Sequence, residues 1–199
     1  RAPLALPTRA LADAIAAEWQ AQGDEIRPRS MVLTGLANAA IDRVAPYPAR
    51  FADGLARFAE NELLAYRADG PAPLVARQAA ERDPWLAWAR RRYDVEFLAV
   101  TGIIHQPQPP ATLARITAAF RALDPFRLAA LHPVVTICGS AVLGLAVADA
   151  ALDADTAWTV SHLDELWQAE QWGKDPLAEA GHRERQGELK AAVRMLGLL

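Results

Sequence analysis

The feature that most limits how this chain folds is a run of 16 consecutive uncharged residues, 133–148. A helix that spans a bilayer needs about 20 apolar residues, and Gly139 interrupts this run. We therefore predict a buried central helix over 133–148 and no membrane insertion. Within the run, Ser140, Gly144 and Ala148 recur at four-residue spacing, which places small side chains in one stripe. This stripe should let a neighbouring helix approach closely.

The composition is that of a folded protein without a bias toward nucleic acid. Hydrophobic residues make up 52% of the 199 positions, and the net charge is -3. Nucleic-acid-binding domains usually carry a basic excess, so we expect no nucleic-acid partner. The single cysteine, Cys138, excludes a disulfide framework and every multi-cysteine metal site, and it indicates a reducing compartment. Because it lies inside the uncharged run, we expect a buried and unreactive thiol.

The first fifty residues predict helices. Thr8 suits an N-cap position, and Leu11 and Trp19 follow it on one helical face. Ser30 should cap a second helix, and a third helix should cover 49–58.

A small sheet is expected in the first half of the chain. Residues 62–66 and 95–101 are compact apolar segments between turn signals, which is typical of strands. Residues 73–88 indicate a helix with a break at Asp83-Pro84, because the residue before a proline avoids the helical region. Two strands alone make a marginal sheet, so we expect further strands upstream of Arg1.

A proline-rich segment, 106–110, separates this first part from a purely helical one. With the boundary placed there, residues 1–108 form a small α/β portion and residues 109–199 an all-helical domain. The predicted fold class is α+β, predominantly α-helical, with the first strands absent. The helices expected after the boundary cover 111–123, 125–131, the uncharged run up to residue 150, 155–172 and 176–199.

No motif in the sequence indicates an enzyme. The glycine spacing at Gly139 and Gly144 lacks the lysine and hydroxyl of a phosphate-binding loop, and no G-x-S-x-G or H-E-x-x-H motif is present. His162 and Glu165 share a helical face at i, i+3 and would supply two metal ligands. Since no second such pair is visible, a solvated polar face is favoured and a metal-assisted hydrolase is the alternative. We expect no catalytic residue, no metal and no cofactor.

Residues 163–173 form the most informative segment. One helical face is apolar, and acids and amides that include Asp164, Glu165 and Gln168 lie on the other, with Trp172 one turn later. A tryptophan beside acids and amides is typical of a protein-binding surface. The pattern fits equally well a surface helix whose last tryptophan folds back over its end, with Gly173 as the residue after the helix. The spacing leaves both interpretations open.

Several collinear blocks of the sequence carry a family resemblance. They are residues 3–8 with 14–19; Met31, Leu33-Thr34 and Asn38; Tyr66-Arg67, Leu74-Val75, Gln78, Asp83-Pro84 and Trp88; and Leu163, Glu165, Trp167, Gln168, Trp172 and Gly173. Together they resemble the F1-ATP synthase assembly chaperones that act on the α subunit, a family of mitochondria and alphaproteobacteria. Members usually carry a β-rich segment before the first block. After the last block they have acidic residues and a His-Asp pair, whereas here Lys174 follows and His182 precedes an arginine.

The resemblance implies a chaperone and not a catalyst. Such a protein holds the free α subunit of F1-ATP synthase, covers surface that β subunits later occupy, and needs neither ATP nor metal. It implies a monomer in the cytoplasm of an alphaproteobacterium, or in the mitochondrial matrix of a eukaryote. A helical adaptor with another protein client is a further alternative.

The resemblance and the polar face of the segment 163–173 together select the candidate functional residues. The client-binding candidates are Glu165, Gln168, Glu170, Trp172, Gly173 and Asp175. Gln78, Asp83 and Trp88 are secondary candidates, and of these we expect Asp83 to start a helix and Trp88 to lie in the core.

Overall fold

The structure is a computed structural model that describes residues 3–102, 104–173 and 175–199. Most of this part of the chain is helical. In chain order, the helices of this part are α1 (Arg9–Gln20), α2 (Val32–Ala39), α3 (Pro48–Ala56), α4 (Ala72–Tyr93), α5 (Pro110–Arg121), α6 (Pro125–Cys138), α7 (Ala141–Ala148), α8 (Ala154–Ser161), α9 (Leu163–Trp172) and α10 (Pro176–Gly197). A π-helical turn covers Ala40–Val44, and short 3₁₀ turns cover Pro28–Ser30, Arg57–Asn61 and Leu63–Ala65. Two short strands, β1 (Tyr66–Arg67) and β2 (Val100–Thr101), pair in parallel. The predominantly helical α+β fold is confirmed.

The uncharged run belongs to two helices, so the prediction of one central helix over 133–148 is wrong. α6 ends at Cys138, and Gly139 follows with a φ of 62°, a left-handed conformation that glycine adopts without steric cost. The hydroxyl oxygen of Ser140 then caps α7 by accepting the N–H three residues on, at 3.0 Å. The predicted burial is confirmed for residues 141–147, which are all buried, whereas Thr136 in α6 is exposed. No helix in the described part of the chain is long and apolar enough to cross a membrane.

Gly144 allows α6 and α7 to pack closely. A Cβ atom at this position would lie 2.4 Å from Cγ2 of Val135 on α6, closer than any real side chain tolerates. The predicted close approach at the stripe of small residues is therefore confirmed at Gly144.

The predicted strands are shorter than expected. Most of the segment 62–66 forms the 3₁₀ turn Leu63–Ala65, and only its last residue belongs to β1. Glu62 explains the difference, because its carboxyl group accepts the N–H of Leu64 at 3.3 Å and so stabilises a turn. Of the segment 95–101, only the last two residues pair as β2. The strands expected before the first residue lie outside the described residues.

Two predicted helix boundaries are wrong. α4 continues through Pro84, so Asp83 lies in the middle of a helix of 22 residues and does not start one. Packing of α4 against α7, α9 and the 3₁₀ turn before β1 outweighs the hydrogen bond that the proline removes. Conversely, the helix predicted over 155–172 is divided at His162 into α8 and α9.

α1 begins as predicted and is tied to the other end of the chain. Thr8 accepts the N–H of Leu11 at 3.1 Å and donates to the carbonyl oxygen of Leu198 at 2.6 Å. Trp19 departs from the predicted buried face, because its side chain is 48% exposed. Ser30 lies in a 3₁₀ turn and does not cap α2.

Within the described residues, one cluster of buried apolar side chains includes residues that precede position 108 in the sequence and residues that follow it. Leu33 and Leu55 from the first part and Phe120 and Leu131 from the second belong to it. α10 packs on α2 and α6, and α3 packs on α5 and α6. The boundary at 108 stays a prediction.

Candidate functional site

Most of the residues predicted to bind a client line one groove between α9 and α10. This α9–α10 groove encloses about 400 Å³. Its lining includes Glu165, Gln168, Trp172, Gly173 and Asp175, together with Leu166, Ala169, Ala178, Glu179 and His182. The structure thus brings together five of the six client-binding candidates.

Trp172 projects from this groove into solvent. Its side chain is 79% exposed, and Leu177 at the start of α10 is 84% exposed. Gly173 ends α9 with a φ of 91° and donates its N–H to the carbonyl oxygen of Ala169 at 3.0 Å. The interpretation in which the tryptophan folds back over the helix end is therefore wrong. Two large, solvent-exposed apolar side chains on two consecutive helices, here called the α9–α10 hairpin, are typical of a protein-binding surface.

The three acidic candidates have different hydrogen-bond and ion-pair partners. Glu165 pairs with His182 of α10, with 3.1 Å between Oε2 and Nε2. Asp175 caps α10 by accepting the N–H of Leu177 at 2.9 Å. Glu170, the sixth candidate, pairs instead with Arg77 of α4 at 2.7 Å. These contacts fix the ends of α9 and α10 around the groove.

A polar network holds α9 against α4. Gln78 donates through Nε2 to Asp164 Oδ1 at 2.6 Å and accepts the Ala68 N–H at 2.8 Å. Arg82 donates to Asp164 Oδ2 and to the Tyr66 carbonyl oxygen, each at 3.0 Å. Gln78 and Arg82 are only 2% and 1% exposed. Because α9 buries just one of its described side chains completely, this network determines much of its position.

The network faces a second cavity, the α4–α9 cleft, of about 830 Å³. Gln78, Arg82, Asp164 and Gln168 line it, with Tyr66 and His105 on the side of the short sheet. Gln168 also lines the α9–α10 groove, so the two cavities meet at this side chain. The Nε of Arg82 is buried and has no hydrogen-bond partner among the described residues. The α4–α9 cleft is therefore lined in part by polar side chains and adjoins the groove from which Trp172 projects.

The secondary candidates are divided by the structure. Gln78 belongs to the network. Asp83 is an exposed residue of α4 that pairs with Arg67 of β1. Trp88 was expected in the core but is only half-buried and packs against it, with its ring 5.7 Å from that of Tyr93 in an edge-on arrangement.

Sequence reasoning missed Arg82 as a site residue, and it placed Asp164 only within the polar face of its helix. The available signal was the i, i+4 spacing of Gln78 and Arg82, which puts both on one face of α4. Their common partner lies more than eighty residues away in the chain.

The pair considered for a metal does not form a ligand set. His162 is buried and stacks on Trp158 at 3.6 Å between ring centroids, and its Nδ1 lies 3.2 Å from the Trp158 carbonyl oxygen. Burial lowers the pKa of His162, while Glu165 is engaged by His182. No group of three or more His, Cys, Asp or Glu residues gathers for a metal anywhere in the described residues. Cys138 is buried as predicted, and burial raises the pKa of its thiol to about 11.

Comparison with known proteins identifies the family. The model of the family described as ATP12 chaperone protein matches residues 1–90. The crystal structure of Atp12 from Paracoccus denitrificans has a TM-score of 0.95 and 44% sequence identity, over 98% of this chain and 84% of that one. A point mutant of the same protein gives the same values. Atu1473 from Agrobacterium tumefaciens has a TM-score of 0.94 and 38% identity, over 100% of this chain and 74% of that one. The chain belongs to the ATP12 chaperone family.

Proposed function

We propose that this chaperone of F1-ATPase assembly binds the free α subunit and covers its subunit-interface surface until β subunits replace it. The observation that supports this proposal best is the exposure of Trp172 and Leu177 on the α9–α10 hairpin. A free subunit interface is a large apolar surface that aggregates unless a partner covers it. A tryptophan that stands free of its own fold can anchor such a partner.

The chemistry of the α9–α10 groove indicates which client surface fits it. Apolar side chains stand beside the amide of Gln168 and the carboxylate of Glu165, whereas the carboxylate of Asp175 is used to cap α10. The matching surface of the α subunit is therefore an apolar patch with basic or hydrogen-bonding groups at its rim. With few large anchors, the complex should have the moderate affinity that later release to β subunits requires.

The network around Asp164 has a positioning role in this proposal. It connects the first turn of α9 to two buried side chains of α4, Gln78 and Arg82. The Arg77–Glu170 pair adds a contact near the other end of α9, and the Arg77 guanidinium lies 6.0 Å from the Trp167 ring. Because Asp164 joins α9 to α4 and does not line the α9–α10 groove, losing its contacts would displace Trp172 without removing a lining residue of that groove.

Capture of the purified F1 α subunit tests the site. We expect replacement of Gln168 and Trp172 by alanine to weaken capture by about tenfold or more, because the anchor and its neighbouring amide are removed. Trp19→Ala is the matched control, since Trp19 is an exposed tryptophan on α1, away from the α9–α10 groove. Both variants should keep the helical circular dichroism of the parent protein. Unchanged capture by the double variant would show that the client binds elsewhere.

The identity of the client needs a separate experiment. Tagged protein retrieved from the lysate of its own organism should carry the F1 α subunit as its main partner. Recovery of another protein in its place would favour the helical adaptor and contradict the proposal, whatever the result with the hairpin variants.

The proposal also includes the oligomeric state and the location. We propose a monomer in the cytoplasm of an alphaproteobacterium, or in the mitochondrial matrix of a eukaryote. Light scattering after size-exclusion chromatography should give the mass of one chain, and the mass of two chains would contradict this. Cell fractionation should recover the protein with the soluble contents of that compartment.

A further inference from the structure

A third concave surface lies where α3 and the π-helical turn pack against α6. This α3–α6 groove encloses about 380 Å³, and its lining includes Arg43, Tyr47, Arg50, Phe51, Phe58 and His132. None of its lining residues belongs to the α9–α10 groove or to the α4–α9 cleft. It is therefore a separate surface, independent of the proposed α-subunit site.

The walls of the α3–α6 groove are aromatic, and their side chains differ in exposure. Phe51 and Phe58 are half-buried and pack against the core, so they form a fixed floor. His132 of α6 lies 5.9 Å from Phe51 between ring centroids, at an angle of 53°. Tyr47 is 65% exposed and stands at the edge of the groove. Such a surface receives an apolar or aromatic side chain by offset or edge-on ring contact.

The π-helical turn beside the groove is a second unusual feature. The N–H of Ala45 donates to the carbonyl oxygen of Ala40 at 2.8 Å, a bond across five residues. Single π-helical turns cost helix stability and occur often at functional sites. Here the turn carries Arg43 and ends just before Tyr47, so it shapes the charged edge of the groove.

The two arginines of the groove have no partner in the described part of the protein. Arg43 and Arg50 are both exposed, and neither makes an ion pair or a hydrogen bond to another described residue. The acid nearest in α3, Asp53, is already held by Arg121 of α5, with an N–O distance of 2.6 Å. No acidic side chain of the described residues lines the groove. On a chain with a net charge of -3, this is a locally basic site with an apolar floor.

We propose that the α3–α6 groove binds an acidic peptide segment of a partner protein, with one aromatic side chain of that segment seated between Tyr47 and Phe58. Carboxylates on either side of the aromatic residue would pair with Arg43 and Arg50, since guanidinium groups bind carboxylates through two parallel hydrogen bonds. A volume of 380 Å³ is near the lower end of the range of about 300–1,000 Å³ that ligand pockets occupy. It therefore suits a single large side chain, while the exposed arginines reach the flanking positions of an extended peptide.

Calorimetric titration with short synthetic peptides tests this proposal on the whole protein. The probe is the blocked peptide Glu-Asp-Phe-Asp-Glu, and the comparison peptides are Glu-Asp-Ala-Asp-Glu and Lys-Lys-Phe-Lys-Lys. We expect the first peptide to bind at least about tenfold more tightly than either of the others. We also expect this binding to weaken as the salt concentration rises, because exposed charges are screened.

Variants of exposed residues locate the binding and should leave the fold intact. The double variant R43E/R50E should weaken binding of the phenylalanine peptide by about tenfold or more, and Tyr47→Ala should reduce its advantage over the alanine peptide. Arg57→Glu is the matched control, because Arg57 is an exposed arginine that follows α3 and does not line the groove. It should bind the peptide as the parent protein does.

Three results would overturn the proposal. The first is no measurable binding of the phenylalanine peptide, and the second is equal loss of binding in R57E and in R43E/R50E. The third is binding of benzoate alone as tightly as the peptide, which would assign the groove to small aromatic anions.

Discussion

Arg82 and Asp164 form a partly buried ion pair between α4 and α9, with Nη2 and Oδ2 separated by 3.0 Å. The arginine is buried and the aspartate is partly exposed. The same carboxylate accepts the side-chain amide of Gln78, so two buried donors depend on one acceptor residue. A buried charge that loses its partner is costly, because neither water nor another side chain replaces the interaction.

Asp164→Ala should destabilise the protein through these orphaned donors. We expect the free energy of unfolding to fall by about 2 kcal/mol, less than for a fully buried pair because the aspartate reaches solvent. Urea denaturation followed by circular dichroism measures the change.

Glu170→Gln is the matched comparison for this variant. It also breaks an ion pair between α4 and α9, but both partners of the Arg77–Glu170 pair are substantially exposed. The expected loss is below about 1 kcal/mol. Equal losses for the two variants would contradict the view that the buried pair holds α9.

Glu62 gives the protein a second measurable property, a pH-dependent stability. Its carboxyl group is fully buried between the 3₁₀ turn and α7, where it accepts the N–H groups of Leu64 at 3.3 Å and Val142 at 3.1 Å. Burial raises the pKa of Glu62 from 4.5 to about 7, and the hydrogen bonds oppose the shift only in part. Between pH 4.5 and pH 7 the folded protein therefore holds a proton that the unfolded chain has lost.

Because the folded state binds this extra proton, the free energy of unfolding falls as the pH rises. The stabilisation from Glu62 is complete below pH 4.5 and declines as the pH rises toward 7, for a total of about 3 kcal/mol. Glu62→Gln should remove this decline, so its unfolding free energy should change less between pH 5 and pH 8. Urea titrations at both pH values, with Glu60→Gln as an exposed control, check the prediction. The same pH dependence in E62Q as in the parent protein would assign the slope to other groups.

Local sequence signals predicted the start of α1 but not where other helices break or continue. Thr8 was predictable as a cap because its hydroxyl acts on an N–H only three residues away. The helix break at Gly139 was missed, because this glycine was taken only as an interruption of the apolar run and not as the left-handed residue that ends a helix. Glu62 was misread as part of a strand, because nothing in its neighbourhood shows that its carboxyl group turns inward to α7.

Of the candidate site, only the residues that lie close together in the sequence were predictable. Gln168 and Trp172 lie within one helix, so spacing and resemblance could select them. The network of Gln78, Arg82 and Asp164 is assembled by the packing of α4 on α9, and a single sequence does not reveal such pairing. Glu170 was selected together with the other client-binding candidates, and its pairing with Arg77 of α4 was not visible in the sequence.

Gly144→Ala should destabilise the contact between α6 and α7. The added methyl group would lie 2.4 Å from Cγ2 of Val135, and the buried helices have little room to move. We expect a loss of about 1–3 kcal/mol in the free energy of unfolding.

Two further variants isolate the steric cause at Gly144. The double variant G144A/V135A should recover part of the loss, because the clashing methyl group is removed. Gly187→Ala is the control within α10, where an added Cβ has no neighbour within 4 Å. It should be neutral or stabilise by up to about 1 kcal/mol, as alanine favours helices. An equal loss at both glycines would contradict the steric explanation.

Asp175 offers a test that separates helix capping from client contact within the α9–α10 groove. Its side chain accepts the N–H of Leu177 at the start of α10, and serine can do the same without the negative charge. Asp175→Ser should therefore keep both the protection of the first α10 amides in hydrogen exchange and the capture of the F1 α subunit. Asp175→Ala should lose this protection, at a cost of about 1 kcal/mol, and should weaken capture because the first turn of α10, which carries the exposed Leu177, is no longer capped. Weak capture by D175S despite intact amide protection would show instead that the carboxylate itself contacts the client.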